Sequence, residues 1–143
     1  DFATVVLDLE TAEEDAYDIG LLGRRVVDAI DWVRKQAELK HLPVALFGAG
    51  TGAAAALVAA AERREVTHAV ISHGGRPDLA GEALPHVEAP TLLIVAAQDD
   101  PVMEMNHEAM RRMRAHVEIE IAADAEVAEL AAGWCQRYLW SMA

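Results

Sequence analysis

The sequence predicts an α/β fold built in three layers around a mostly parallel sheet. Short runs rich in Val, Leu, Ile and Ala alternate with longer stretches whose apolar residues recur at helical spacing. Glycine or proline punctuates the joins. Short strands connected through helices pair in parallel, because each right-handed crossover brings the chain back beside the strand it left.

The elements follow in order. Phe2 to Leu9, rich in Val and Leu, reads as a first strand that leaves into the acidic stretch Glu10 to Asp15. From Ile19 the period changes: Leu22, Val26, Ile30 and Val33 fall on one helical face, with Arg24, Asp28, Asp31 and Lys35 between them, and this helix ends before Pro43. Pro43 to Phe47 is a short strand, Gly48 to Gly52 a tight turn, and Ala53 to Arg63 an alanine-rich helix. Further strands are predicted over Ala69 to Ser72, Thr91 to Ala96 and Val117 to Ile121, giving five in all. A loop or short helix over Gly74 to Leu84 and helices over Val102 to Arg114 and Glu126 to Trp140 alternate with them. In the last helix Trp134, Tyr138 and Trp140 stand on more than one face, one stripe for the core and another open to an interface. No internal repeat, low-complexity tract or linker interrupts the series, so 143 residues read as one domain.

Composition narrows the partners. The 24 acidic and 12 basic side chains give a net charge of -12. The tightest basic group, Arg111, Arg112 and Arg114, lies in one helical pattern among acids, so nucleic acid is not an expected partner. No apolar run approaches the roughly 20 residues a membrane helix needs, and the start does not resemble a signal peptide. A single cysteine, Cys135, excludes an internal disulfide and a cysteine-rich metal site, and a reducing, cytoplasmic setting is expected. Alanine supplies 29 residues and Phe, Tyr and Trp together only seven, which suits a core made by close backbone approach.

Gly48-Ala49-Gly50-Thr51-Gly52 closes a strand and opens a helix, and three chemistries use such a turn. A dinucleotide loop needs G-x-G-x-x-G/A and a carboxylate about 20 residues on; Ala53 can serve as the third small residue, but Glu62 and Glu65 stand at no clean strand end. A phosphate loop is excluded, since the Lys and the spacing are missing. A nucleophile elbow, G-x-S-x-G, keeps its frame here as Gly48-x-Gly50-x-Gly52 and loses its nucleophile.

The run Leu42-Pro-Val-Ala-Leu-Phe-Gly-Ala-Gly-Thr-Gly-Ala-Ala-Ala-Ala-Leu, with Gly74-Gly-Arg-Pro-Asp-Leu-Ala80 and Ala89-Pro-Thr-Leu-Leu-Ile-Val95, resembles the α/β-hydrolase superfamily, in its dienelactone-hydrolase-like branch. The resemblance covers most of the chain. It implies a truncated α/β-hydrolase fold and a serine hydrolase of esters or lactones without a cofactor or metal, and some relatives carry a fused phosphoribosyltransferase domain. Carried over residue by residue, the nucleophile position falls on Gly50, the triad acid on Asp99 (less well on Asp100), and one oxyanion donor on the backbone N–H of Thr51. A second donor would come from Leu9 or Glu10, where a carboxylate departs from the apolar residue the family has. Gly50 has no oxygen with which to attack a carbonyl, and the Thr51 side chain is expected to face away from the site.

The resemblance also implies a catalytic histidine after the last strand, yet the chain there reads Glu120-Ile-Ala-Ala-Asp-Ala-Glu-Val127. About eight family positions are missing at Ala123/Asp124, and a longer acidic loop is missing at Asp15/Ala16. Loop shortening and absence of segments belonging to the folded protein both explain this, and the second is the expectation. His73 and His107 match no base position and read as surface or capping histidines; no His set has metal-ligand spacing. The first strand resembles the third of the family's eight, and the first, second and fourth have no counterpart, which leaves an apolar sheet edge for another copy or a fused domain.

Three functions follow: an α/β-hydrolase-like domain impaired by Gly50, an active serine ester or lactone hydrolase whose native form has Ser at that position and a histidine in a segment absent here, and a non-catalytic binding or structural module. The ligand in the first two is a small ester or lactone or its analogue.

Overall fold

Four strands form one parallel sheet in the order of the sequence, in a computed structural model that describes residues 2–7, 18–97 and 101–139. Helix α1 (Ile19–Lys35) precedes β1 (Val44–Ala49), α2 (Thr51–Glu62) and β2 (Thr67–His73). A 3₁₀ segment (Pro77–His86), β3 (Thr91–Val95), α3 (Pro101–Arg112), β4 (Val117–Ile121) and α4 (Asp124–Leu139) complete the described chain. Each strand-to-strand crossover passes through a helical segment, which is the arrangement the alternating periods require.

The pleat divides the strand residues between two helical layers. Val70 packs with Ala54, Leu57 and Ala60 of α2 and with Leu84 and Met113, while its neighbours Ala69 and Ile71 join Leu92, Ile94, Val127 and Trp134 on the α4 side. The three-layer expectation is therefore met. Because α2 is wedged between the sheet, α1 and the 3₁₀ segment, it is buried almost all round, and alanine is what lets it fit. Gly23 of α1 makes the same allowance, since a Cβ there would stand 2.8 Å from Val58 Cγ1.

One expected element is absent. Residues 2–7, read from their composition as a first strand with residues up to Leu9, belong to no strand, and all six are exposed; Leu9 lies outside the described residues. Apolar β-branched composition becomes a strand only where a ladder partner and a covering layer reward it. Here the segment faces β1 across an apolar cavity without joining its ladder, so the strand count among the described residues is four and β1 is an edge. In α4, Trp134 is buried and donates its indole N–H to Pro90 O at 3.1 Å, which assigns that stripe to the core; Trp140 lies outside the described residues.

Candidate functional site

The carboxyl ends of the strands converge on a turn of one residue. β1 ends at Ala49, α2 starts at Thr51, and Gly50 alone reverses the chain with φ 57° and ψ -130°. A side chain rarely tolerates that backbone and glycine adopts it freely, so the sharp strand-to-helix turn expected of a nucleophile elbow is present at Gly50 without its strain. The flanking glycine has another reason: a Cβ on Gly48 would collide with the Gly52 carbonyl oxygen. A Cβ on Gly50 itself would meet nothing within 4 Å.

The turn after β2 fixes the peptide between Gly50 and Thr51. Arg76 N–H donates to Gly50 O at 3.0 Å, and Ala53 N–H reaches the same oxygen at 3.3 Å. Since a trans peptide is planar, pointing the carbonyl toward Arg76 turns the Thr51 N–H the opposite way. As the first residue of α2, Thr51 has no acceptor for that N–H one turn back in its own helix, and the helix dipole adds partial positive charge there. Gly75 lies against the first turn of α2, where a Cβ would approach Ala53 Cβ and Ser72 Oγ to 2.5 Å each. Behind it Ser72 and Asn106 are fully buried; Ser72 Oγ and Asn106 Oδ1 have no hydrogen-bond partner. The Arg76 guanidinium grips Asp78 with two bonds of 3.1 and 2.9 Å, which fixes the entry into the 3₁₀ segment.

His73, last residue of β2 and in register with Ala49, places Nε2 3.3 Å from Asp124 Oδ1 at the start of α4. Its side chain is 30% exposed, so it is a paired rim residue. His107 is exposed on α3 beside Ile119 and Ile121, against the outer side of β4. Gly50 and Thr51 are thus joined by Ser72, Gly75 and Arg76, from the strand-end stretch after β2 where a ligand of an α/β sheet is expected, and by Asn106 of α3, to which no motif in the sequence points. The proximity of the Gly74-Gly-Arg phrase to the turn was the available signal only in the sense that both follow consecutive strands. Asp99, Asp100 and Glu10 lie outside the described residues. Among the described residues no three His, Cys, Asp or Glu side chains gather as metal ligands.

Beside the turn, a cavity of about 980 Å³ runs from Thr51 along the outer edge of β1, between α1, α4 and residues 2–7. Ala45, Phe47, Val26, Ala131 and Cys135 contribute to a mainly apolar lining. Burial raises the Cys135 thiol above the usual cysteine range.

A strand, a one-residue glycine turn and a buried helix in an all-parallel sheet are the arrangement of a nucleophile elbow. Residues 11–128 match the dienelactone hydrolase family. The chain belongs to the dienelactone hydrolase family. A crystal structure of a dienelactone hydrolase from Anabaena variabilis ATCC 29413 is 48% identical and superimposes with a TM-score of 0.82, covering 86% of this chain and 62% of that one. A lipase-esterase related protein from Clostridium acetobutylicum ATCC 824 shares the fold at 13% identity and a TM-score of 0.62, over 87% of this chain and 79% of the other. Two Mycobacterium tuberculosis proteins, of strains CDC 1551 / Oshkosh and H37Rv, are each named "Putative phosphoribosyl transferase". They are 43% identical over an aligned length of 149, covering 93% of this family member and 34% of each of them. The chain therefore spans about a third of the length of these curated relatives. No helix among the described residues is long and apolar enough to cross a membrane.

Proposed function

We propose that this chain is a dienelactone-hydrolase-like domain in which covalent ester or lactone hydrolysis is impaired. One observation carries the reading: the residue at the sharp turn, Gly50 with φ 57°, has no hydroxyl to attack a carbonyl. What the turn keeps is a polarising group, the backbone N–H of Thr51, aimed by the Arg76 bond to Gly50 O. In this reading Thr51 N–H meets the carbonyl oxygen of a small ester, lactone or analogue, and Asp99 holds the triad-acid position.

A second reading, an active serine hydrolase whose native form has Ser at 50, is favoured by the open space beside Gly50. Short-chain nitrophenyl ester hydrolysis separates the two. The chain is expected to release nitrophenol no faster than buffer, and Gly50→Ser, carried in a chain that restores the C-terminal loop with the family's histidine, to release at least one equivalent in a burst. Turnover by the unaltered chain would overturn the impaired reading, and no burst from that variant when folded would remove the competent scaffold.

The same reading makes this chain one part of a longer protein like its curated relatives. The aligned length of 149 exceeds the 143 residues of the chain, so those relatives hold residues with no counterpart here, as both shortened loops and missing segments would give. Phosphoribosyl transfer, in their name, then belongs to sequence outside the match. Calorimetric titration of this chain with phosphoribosyl diphosphate is expected to show no heat of binding; saturable binding would place that function here instead.

A further inference from the structure

We infer that Asn106 is a positioning residue that sets the direction of the Thr51 N–H through the turn after β2. The inference rests on the proposed role of that N–H at the site and extends it to a residue on a different element. Asn106 is fully buried on α3. Its Nδ2 donates to Val102 O, one turn back in its own helix, at 2.7 Å, and reaches Gly75 O at 3.5 Å. The next residue along, Arg76, donates its backbone N–H to Gly50 O at 3.0 Å. The path from α3 to the elbow is therefore Asn106 side chain, Gly75 carbonyl, Arg76 amide and Gly50 carbonyl. Because the Gly50–Thr51 peptide is planar, rotating its carbonyl away from Arg76 would rotate the Thr51 N–H away from the end of the sheet.

Stability does not account for an amide at this place. Asn106 Oδ1 is buried without a partner, and so is the neighbouring Ser72 Oγ. A buried polar atom left unpaired is a cost that an apolar side chain of the same branching would avoid. What leucine could not do is hold the Gly75 carbonyl, whose loop is already pressed so closely on Ala53 that only glycine fits.

The test uses the full 143-residue chain labelled with ¹⁵N, comparing it with Asn106→Leu by amide spectra and hydrogen exchange. The expected result is exchange at the Arg76 amide faster by at least tenfold and a displaced Thr51 amide resonance. Val70 and Ile94, in the sheet core, should keep their exchange rates and the melting temperature should not fall. A purely structural role would accelerate all of these amides together and lower the melting temperature. Unchanged Arg76 and Thr51 signals, or changes shared equally with Val70 and Ile94, would overturn the inference. Should Asn106→Leu fail to fold, Asn106→Ala is read by the same resonances and the same criteria. None of these readouts needs turnover, so turnover by the unaltered chain would count against the proposed function alone.

Discussion

Gly48, Gly50 and Ser72 lie within a few ångströms of one turn, and each responds to a different force. At Gly48 the limit is contact with backbone, so Gly48→Ala must displace the first turn of α2 and is expected to cost about 1–3 kcal/mol. At Gly50 the limit is the backbone dihedral alone. Gly50→Ala is expected to cost about 1–3 kcal/mol of strain with no clash, leaving the spectrum of α2 unchanged where Gly48→Ala perturbs it. Ser72 behaves in the opposite sense. Its hydroxyl is buried and unpaired, so Ser72→Ala should raise stability by about 1 kcal/mol, read as an increase of a few degrees in Tm. Equal or lower Tm would mean that the hydroxyl has an acceptor in solution. Cys135 adds a reactivity test: its thiol is half-buried and held above its ordinary range, so it should react with an aromatic disulfide at pH 8 more slowly than free cysteine until the chain is unfolded.

The elements were legible where the information is local. α1 follows its apolar spacing, and the structure adds a cap, Asp18 Oδ1 accepting from Leu21 N–H at 3.1 Å. The glycine turn and the alanine helix behind it were readable for the same reason, since neighbours in sequence make them. What holds α1 to α2 was not. Asp31 and Arg63 form a two-bond pair of 2.8 and 2.9 Å across 32 residues of sequence. The Arg63 hydrogen bond keeps the Asp31 carboxyl below its usual range. A carboxylate whose folded pKa is lowered stabilises the fold above its unfolded pKa, near 3.9, and loses that contribution as pH falls through the folded value. Asp31→Asn should therefore lower Tm at pH 7 by a small amount, the pair being half exposed, and the difference should shrink to nothing in the acid range below pH 4. A difference that persists unchanged at low pH would show that the pair acts through packing.

Across the whole molecule the sheet ends, on one side, in an apolar edge. β1 has α2 and α4 on its faces, and among the described residues a cavity lined on its far side by residues 2–7 lies beyond its outer edge, where Phe47 is 52% exposed. An apolar dye such as anilinonaphthalene sulfonate is expected to bind the folded chain at this cleft, and Ala45→Glu, which puts a charge on its wall, to abolish the fluorescence gain. Gain retained in the variant would place the dye elsewhere. The same edge makes a second copy or covering polypeptide the proposed partner; light scattering that finds a monomer at all micromolar concentrations would remove the second copy.

The sequence by itself determined the α/β class, the parallel sense of the sheet and the glycine turn, because periodicity, crossover handedness and backbone freedom are local or topological properties. Its family resemblance was legible in the phrases around Gly50, Gly74 and Ala89. The tertiary structure decided what depends on distant partners. It kept residues 2–7 out of the sheet, since apolar composition alone supplies no ladder; it joined His73 to Asp124 across 51 residues of sequence; and it placed Asn106 and Arg76 behind the turn. Those contacts are carbonyls, amides and a buried side chain brought together by packing, and no spacing in the chain encodes a distance between them.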